Sequence, residues 1–187
     1  MVSGGKMGMP LHLLPITGKR SVINLKKDKM NNKIQITPIG KVNADENGFS
    51  IEIDKTLVPA LKNIDGFSHL QILWWGHLYD SPQYRSNLVT DKPYKKGPDK
   101  LGIFATRSPV RPNPILLTTV AVLHIDHEKG IIYIPYIDAE PGTPVLDIKP
   151  YHLSERVKEC GVPDWCRHWP LWDEEAAMFD WQKEFNF

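Results

Sequence analysis

The stretch Ser68-His69-Leu70-Gln71-Ile72-Leu73-Trp74-Trp75-Gly76-His77 reads as a β-strand. Successive side chains of a strand point to opposite faces. Leu70, Ile72, Trp74 and Gly76 therefore share one face, which is apolar. His69, Gln71, Leu73, Trp75 and His77 share the other, which mixes imidazole, amide and indole. Upstream, Phe49, Ile51 and Ile53 alternate with Ser50, Glu52 and Asp54, the pattern of a half-buried strand. With Ile34, Ile36 and Ile39 before a turn-forming cluster at residues 43–48, this predicts a hairpin over residues 34–54. Residues 56–63 predict a short helical turn with Leu57 and Leu61 on one face. Downstream, residues 115–125 are apolar and β-branched, the composition of a buried strand. A turn at residues 127–130 returns the chain into a strand at 131–137, where Pro135 predicts an edge or a bulge. Sixteen prolines and thirteen glycines in 187 residues supply the turns that small all-β folds need. The expectation is an all-β core of about six strands between residues 34 and 148.

Between these strands lies Leu101-Gly102-Ile103-Phe104-Ala105-Thr106-Arg107-Ser108-Pro109-Val110-Arg111-Pro112-Asn113-Pro114-Ile115. Proline removes a backbone donor and fixes φ, so this segment is neither helix interior nor central strand. Each residue before a proline is pushed toward extended geometry. The segment is a stiff ribbon carrying Arg107, Arg111 and Asn113. Two readings stand: a preorganised pocket wall, or a rigid surface crossover with solvated arginines. Residues 79–100 read as a polar loop, with Tyr84, Arg85, Lys92, Tyr94, Lys95 and Lys96 either solvated or set to stack on bases and meet phosphates. His69 reads as a structural histidine near the preceding turn, and Trp75 as core or as a flat wall for a ligand.

Gly102 to Asn113 closely resembles the defining motif of the TrmO/YaeB/TsaA-like family. Two further blocks agree in order: Asp65-Gly66-Phe67-Ser68-His69 running into His77, and Gly142-Thr143-Pro144-Val145-Leu146-Asp147-Ile148-Lys149-Pro150-Tyr151. The resemblance covers residues 34–152. It implies a small single-sheet β-barrel and an S-adenosylmethionine-dependent methyltransferase acting on N6 of threonylcarbamoyladenosine in tRNA, in a homodimer. The alternative is a non-catalytic module that binds S-adenosylmethionine or a nucleotide. The cofactor set it implies is Trp75, His77, Leu78, Arg107, Arg111, Asn113, Gly142, Thr143 and Pro144. Within that set, the guanidinium of Arg111 suits the donor's carboxylate tail, and His77 and the turn at Gly142 complete the pocket. Catalytic residues stay unassigned, with Asp147 and Tyr151 as candidates. Longer family members place a loop with a Pro-Arg-Gln element where this chain has residues 43–48. They also carry a larger C-terminal domain with an Asp-Pro-Arg-Pro element. This chain reads as a short member with neither.

Composition sets further bounds. The chain carries 23 basic and 22 acidic residues, which gives no support to a strong polyanion binder. Cys160 and Cys166 form no metal-binding pattern, so no metal is expected; they read as free thiols in a reducing cytosol, not as a disulfide. No apolar stretch is long enough to span a membrane, and Met9 to Pro15 is too broken by prolines for a signal peptide. The expected organisation is an N-terminal extension at 1–29, disordered or artefactual, a barrel domain at 30–152 and a tail at 153–187. Basic residues at 19–29 read as a solvated tail or an RNA contact. In the tail, residues 174–185 have helical spacing, with Met178, Trp181 and Phe185 on one side. Those aromatics are expected to pack on the barrel or on a second subunit.

Overall fold

The computed structural model describes residues 34–46 and 48–186. Contacts divide the chain into residues 1–35 and residues 36–187, and every element below belongs to the second unit. The expected extension at 1–29 and its basic residues lie outside the described residues. The described strands are β1 Gly40–Asp45, β2 Gly48–Ile53, β3 His69–Trp75, β4 Val89–Asp91, β5 Lys100–Gly102, β6 Ile115–Ala121, β7 His124–Asp126, β8 Ile131–Ile134 and β9 Pro144–Pro150. Seven form one antiparallel sheet in the order β6-β3-β9-β1-β2-β8-β7, while β4 and β5 pair as a separate ribbon.

The alternation expected of β3 is present. Leu70, Ile72 and Trp74 are buried, and His69, Gln71, Leu73 and Trp75 are half-buried. The inner face joins Val42, Ile51, Ile53, Val120, Ile125, Ile132, Ile134, Ile137 and Val145 in one core. Each large aliphatic side chain withdrawn from water contributes roughly 1.5–3 kcal/mol. Exposed pairs such as Lys41–Glu52 and Lys149–Asp147 contribute at most about 1 kcal/mol each. The core therefore decides the fold. Trp74 keeps its indole N–H satisfied by donating to Thr118 Oγ1 at 3.0 Å.

No ladder joins the two edge strands, so the sheet is not closed as the expected barrel would be. One stretch serves both edges instead. Residues 115–121 pair with β3, residues 124–126 pair with β8, and the switch falls at Val122 and Leu123. The Val122 N–H donates to Ser68 O at 2.9 Å, and the Leu123 N–H donates to Tyr133 O at 2.9 Å. The expected buried strand at 115–125 is thus two half-buried edge strands. Pro135 lies just past β8, where its missing N–H costs no ladder bond.

Two other expectations change. The polar loop at 79–100 contains a helical turn, α1 Pro82–Arg85, and the strands β4 and β5. The helix expected at 174–185 is one turn, α2 Asp173–Ala176, followed by a separate 3₁₀ turn at Trp181–Lys183. Tertiary contacts override its helical spacing. The Trp181 indole donates to Ala176 O at 2.9 Å, and Phe185 pairs as a β-bridge with Tyr94. Met178 stays 89% exposed, while Trp181 stacks on Phe185 with ring centroids 5.8 Å apart. The tail aromatics form a second small core around buried Tyr94, which stacks on Trp165 at 4.9 Å and meets Trp169 edge-on. No helix among the described residues is long and apolar enough to cross a membrane.

Glu184 is buried in that second core, with Oε2 2.9 Å from His168 Nε2 and accepting from Trp169 Nε1 at 3.2 Å. The bond to His168 holds its carboxyl below the ordinary glutamate range, against the opposing effect of burial. A depressed folded pKa stabilises fully above the unfolded value and is lost as pH falls through the folded one. Near-ultraviolet circular dichroism of the tail aromatics should therefore hold down to about pH 4.3 and weaken below it. Glu184→Gln should remove that acid transition, and an unchanged transition would assign it elsewhere. Both cysteines are free, Cys160 exposed and Cys166 buried. Thiol titration without reductant should find one fast-reacting group, and the second only after denaturation.

Candidate functional site

The strand β3 ends at Trp75, and Gly76 leads into a 3₁₀ turn at His77–Tyr79. The proline ribbon docks there. The Gly76 N–H donates to Pro114 O at 2.7 Å. A Cβ at Gly76 would fall 2.8 Å from Leu116 Cδ1 and 3.4 Å from the Cβ atoms of Pro109 and Pro114. A side chain here would push Leu116 aside and tighten the seat of the ribbon, which glycine leaves free.

The ribbon is braced by its own side chains. Buried Thr106 donates from Oγ1 to Ile103 O at 2.8 Å and accepts from Ser108 N at 3.3 Å. Arg111 Nη2 donates to Thr106 O at 2.7 Å and to Ile103 O at 3.2 Å. Its Nε is buried and unpaired. Arg111 thus sits inside the curve of the ribbon, holding carbonyls that no ladder satisfies. Arg107 is exposed, and its Nη2 donates to Leu117 O at 2.5 Å, across to β6. Arg107 also lies near Tyr94, whose hydroxyl burial pushes up while the Arg107 charge acts in the opposite direction.

The third motif block meets the first. Thr143 Oγ1 lies 3.4 Å from His77 Nδ1, and Thr143 is 1% exposed. Its carbonyl accepts from Val42 N at 2.9 Å, and Gly142 N donates to Val42 O at 2.7 Å. Gly142 has φ +85°, a conformation L side chains rarely adopt, so conformation requires glycine there. Space above it is open, since a Cβ would meet nothing within 4 Å. Pro144 begins β9, and Leu78 is exposed beside His77.

The structure adds two residues not read as part of the site, Asp80 and Arg85. Trp75 Nε1 donates to Asp80 Oδ2 at 3.0 Å. Arg85 donates from Nη1 to Asp80 Oδ1 at 2.9 Å, from Nε to Pro112 O at 2.9 Å and from Nη2 to Asn113 Oδ1 at 3.1 Å. The guanidinium carbon also lies 5.7 Å from the centroid of the Trp75 ring. A local signal for α1 existed in Ser81-Pro82, a helix cap followed by proline at the first helical position. Ser81 Oγ accepts from Tyr84 N at 3.2 Å, and Arg85 ends that turn.

The candidate catalytic residues are placed differently from each other. Asp147 lies opposite Leu73 on the outer face shared with Trp75. Its Oδ1 accepts from Ile148 N at 2.9 Å, and its Oδ2 pairs with Lys149 Nζ at 2.7 Å. Tyr151 N donates to His69 O, at the far end of β3. At ~3.3 Å per residue, that end is about 20 Å from Trp75. A shallow depression lined by Gly40, Lys41, Glu52, Ile53 and Asp54 shares none of these residues. The converging blocks therefore present guanidiniums, an indole and a hydroxyl–imidazole pair. That set has the chemistry to hold an anionic group and a flat ring.

Comparison with known proteins bears on this arrangement. The family described as tRNA-methyltransferase O N-terminal domain matches residues 28–155. A Pyrococcus horikoshii protein named "Probable S-adenosyl-L-methionine-binding protein" is 38% identical over 116 residues, covering 62% of this chain and 80% of that one. A Rattus norvegicus protein named "tRNA (adenine(37)-N6)-methyltransferase" is 40% identical over 92 residues, covering 49% of this chain and 20% of that one. The crystal structure of TrmO from Pseudomonas aeruginosa is similar with a TM-score of 0.52 and 25% identity, covering 70% of this chain and 62% of that one.

The bracing bonds of Arg111 make a stability prediction. Arg111→Ala should lower the stability of the ligand-free protein by about 1.5–3 kcal/mol, the usual cost of losing hydrogen bonds to a charged group. Urea denaturation checks this. A variant as stable as the parent would mean that water satisfies the Thr106 carbonyl, since Ile103 O already accepts from Thr106.

Proposed function

The chain belongs to the tRNA-methyltransferase O N-terminal domain family, and from that premise we propose that it is an S-adenosylmethionine-dependent methyltransferase acting on tRNA. The observation that carries the proposal is the convergence of three distant sequence blocks. Gly76 holds Pro114, and His77 meets Thr143. The names of the Pyrococcus and Rattus relatives support the cofactor and the acceptor class. The acceptor we infer is N6 of threonylcarbamoyladenosine.

The residues present fit the cofactor. Both bracing bonds of Arg111 use Nη2, which leaves Nη1 for a carboxylate, and exposed Arg107 stands on the same ribbon. Trp75 offers a flat wall for adenine or, by cation–π attraction, for the sulfonium. The open space at Gly142 lets the backbone of residues 142–144 approach the donor's polar edges. Bound there, S-adenosylmethionine supplies an electrophilic methyl group. The protein's part is to hold donor and acceptor in line, which itself removes much of the barrier. For taking the acceptor proton, Asp147 is better placed than Tyr151, because it shares the face of Trp75. Exposed Val89 on the β4–β5 ribbon, with Leu88 and Phe104 flanking it, supports pairing of two copies. Free thiols fit a cytoplasmic, reducing setting.

A second reading is a sensor that binds the donor without turnover. The pairing of Asp147 with Lys149 favours it, because the ammonium already engages the carboxylate named as the base. Isothermal titration with S-adenosylmethionine, followed by transfer of labelled methyl to bulk tRNA, separates the two. Binding with transfer is the expected result. Binding alone would establish the sensor, and no binding would overturn both.

A further inference from the structure

Arg85 spends one guanidinium on four groups from three elements. It binds Asp80 in the turn after β3, the Pro112 carbonyl and the Asn113 carboxamide in the ribbon, and it lies over the Trp75 ring. Asp80 closes the figure, because its second carboxylate oxygen accepts from the Trp75 indole. An exposed ion pair alone contributes little. What distinguishes this one is its geometry. Three different nitrogens of a rigid planar fork each meet a separate acceptor, which lysine cannot reproduce.

The consequence falls on Trp75 and Asn113. The indole is fixed at its edge by Asp80 and has the Arg85 guanidinium over one side of its ring, which leaves the side away from Arg85 for a ligand ring. The Asn113 oxygen is taken by Arg85, which turns its NH₂ outward as a donor. A fixed aromatic face beside an oriented amide donor matches a flat heteroaromatic ring with acceptor nitrogens on its edge. Adenine is such a ring.

We propose that Arg85, held by Asp80, is a positioning residue that presents Trp75 and Asn113 to the adenine ring of the methyl donor and touches no donor atom itself. This rests on the donor reading above. Fixing both groups before binding spares the ligand the entropy of ordering them.

The test uses the full chain. Isothermal titration measures S-adenosylmethionine and S-adenosylhomocysteine affinity for wild type, Arg85→Ala, Arg85→Lys and Asp80→Asn, with melting of each ligand-free protein alongside. Arg85→Ala and Arg85→Lys should each weaken both ligands by about tenfold or more, because the charge without the fork does not rescue. The ligand-induced tryptophan emission change that disappears in Trp75→Phe should shrink in the Arg85 variants even at saturating donor, which a purely structural role would not cause. Wild-type affinity and full amplitude in Arg85→Lys would overturn the proposal while leaving the donor reading intact. An emission change that survives Trp75→Phe would place the ring away from the indole and overturn it equally. If wild type itself binds neither ligand, the donor reading fails and this inference with it. Should Arg85→Ala melt far below wild type, Arg85→Lys decides as above, and Asp80→Asn is expected to weaken both ligands, wild-type affinity and full amplitude in it overturning the proposal.

Discussion

A proline-rich ribbon has few donors of its own and no ladder to join, yet its carbonyls must still find partners when covered. The hydrogen bond from Gly76 N–H to Pro114 O answers this at one end. Arg111 answers it in the middle through Ile103 O and Thr106 O, and Arg85 through Pro112 O. The site depends on this docking, because it places the ribbon's polar groups beside Trp75 and His77. The same constraint explains why arginine stands here. A guanidinium carries enough donors to meet several backbone carbonyls at once.

The sheet supplies the rigid base for that docking. Its inner face is filled by branched aliphatic side chains, while the outer face of β3 carries the polar and aromatic groups that reach the site. Because β6 continues into β7, one stretch of chain ties the two ends of the sheet together. The tail adds a second core against Tyr94, and backbone bonds from Lys95 N to Glu184 O and from Asn186 N to Pro93 O pin the loop ahead of the ribbon. The nearly balanced total charge hides this local arrangement. Arg85, Arg107 and Arg111 gather around one ribbon, and among the described residues only Arg85 of the three is paired to a carboxylate.

The sequence by itself determined the strand periodicity, the stiffness of the ribbon and the identity of the motif blocks. Each is a local property: alternation of side-chain chemistry sets which face is buried, and proline fixes φ wherever it occurs. The strand end before His77 and the stiffness of the ribbon were legible for that reason, whereas the block at Thr143 was read through its resemblance to the family motif. Tertiary structure alone decided the rest. Helical spacing at 174–185 lost to the stacking of Trp181 and Phe185 around Tyr94, because weak intrinsic propensity yields to long-range aromatic burial. Residues 115–125 became edge strands because pairing, not composition, sets where a strand stands in a sheet. The Asp80–Arg85 bracket was hidden for the same reason. Its partners Pro112 and Asn113 are separated from Arg85 by 27 and 28 residues in the chain, and no local pattern records which carbonyl a distant guanidinium will meet.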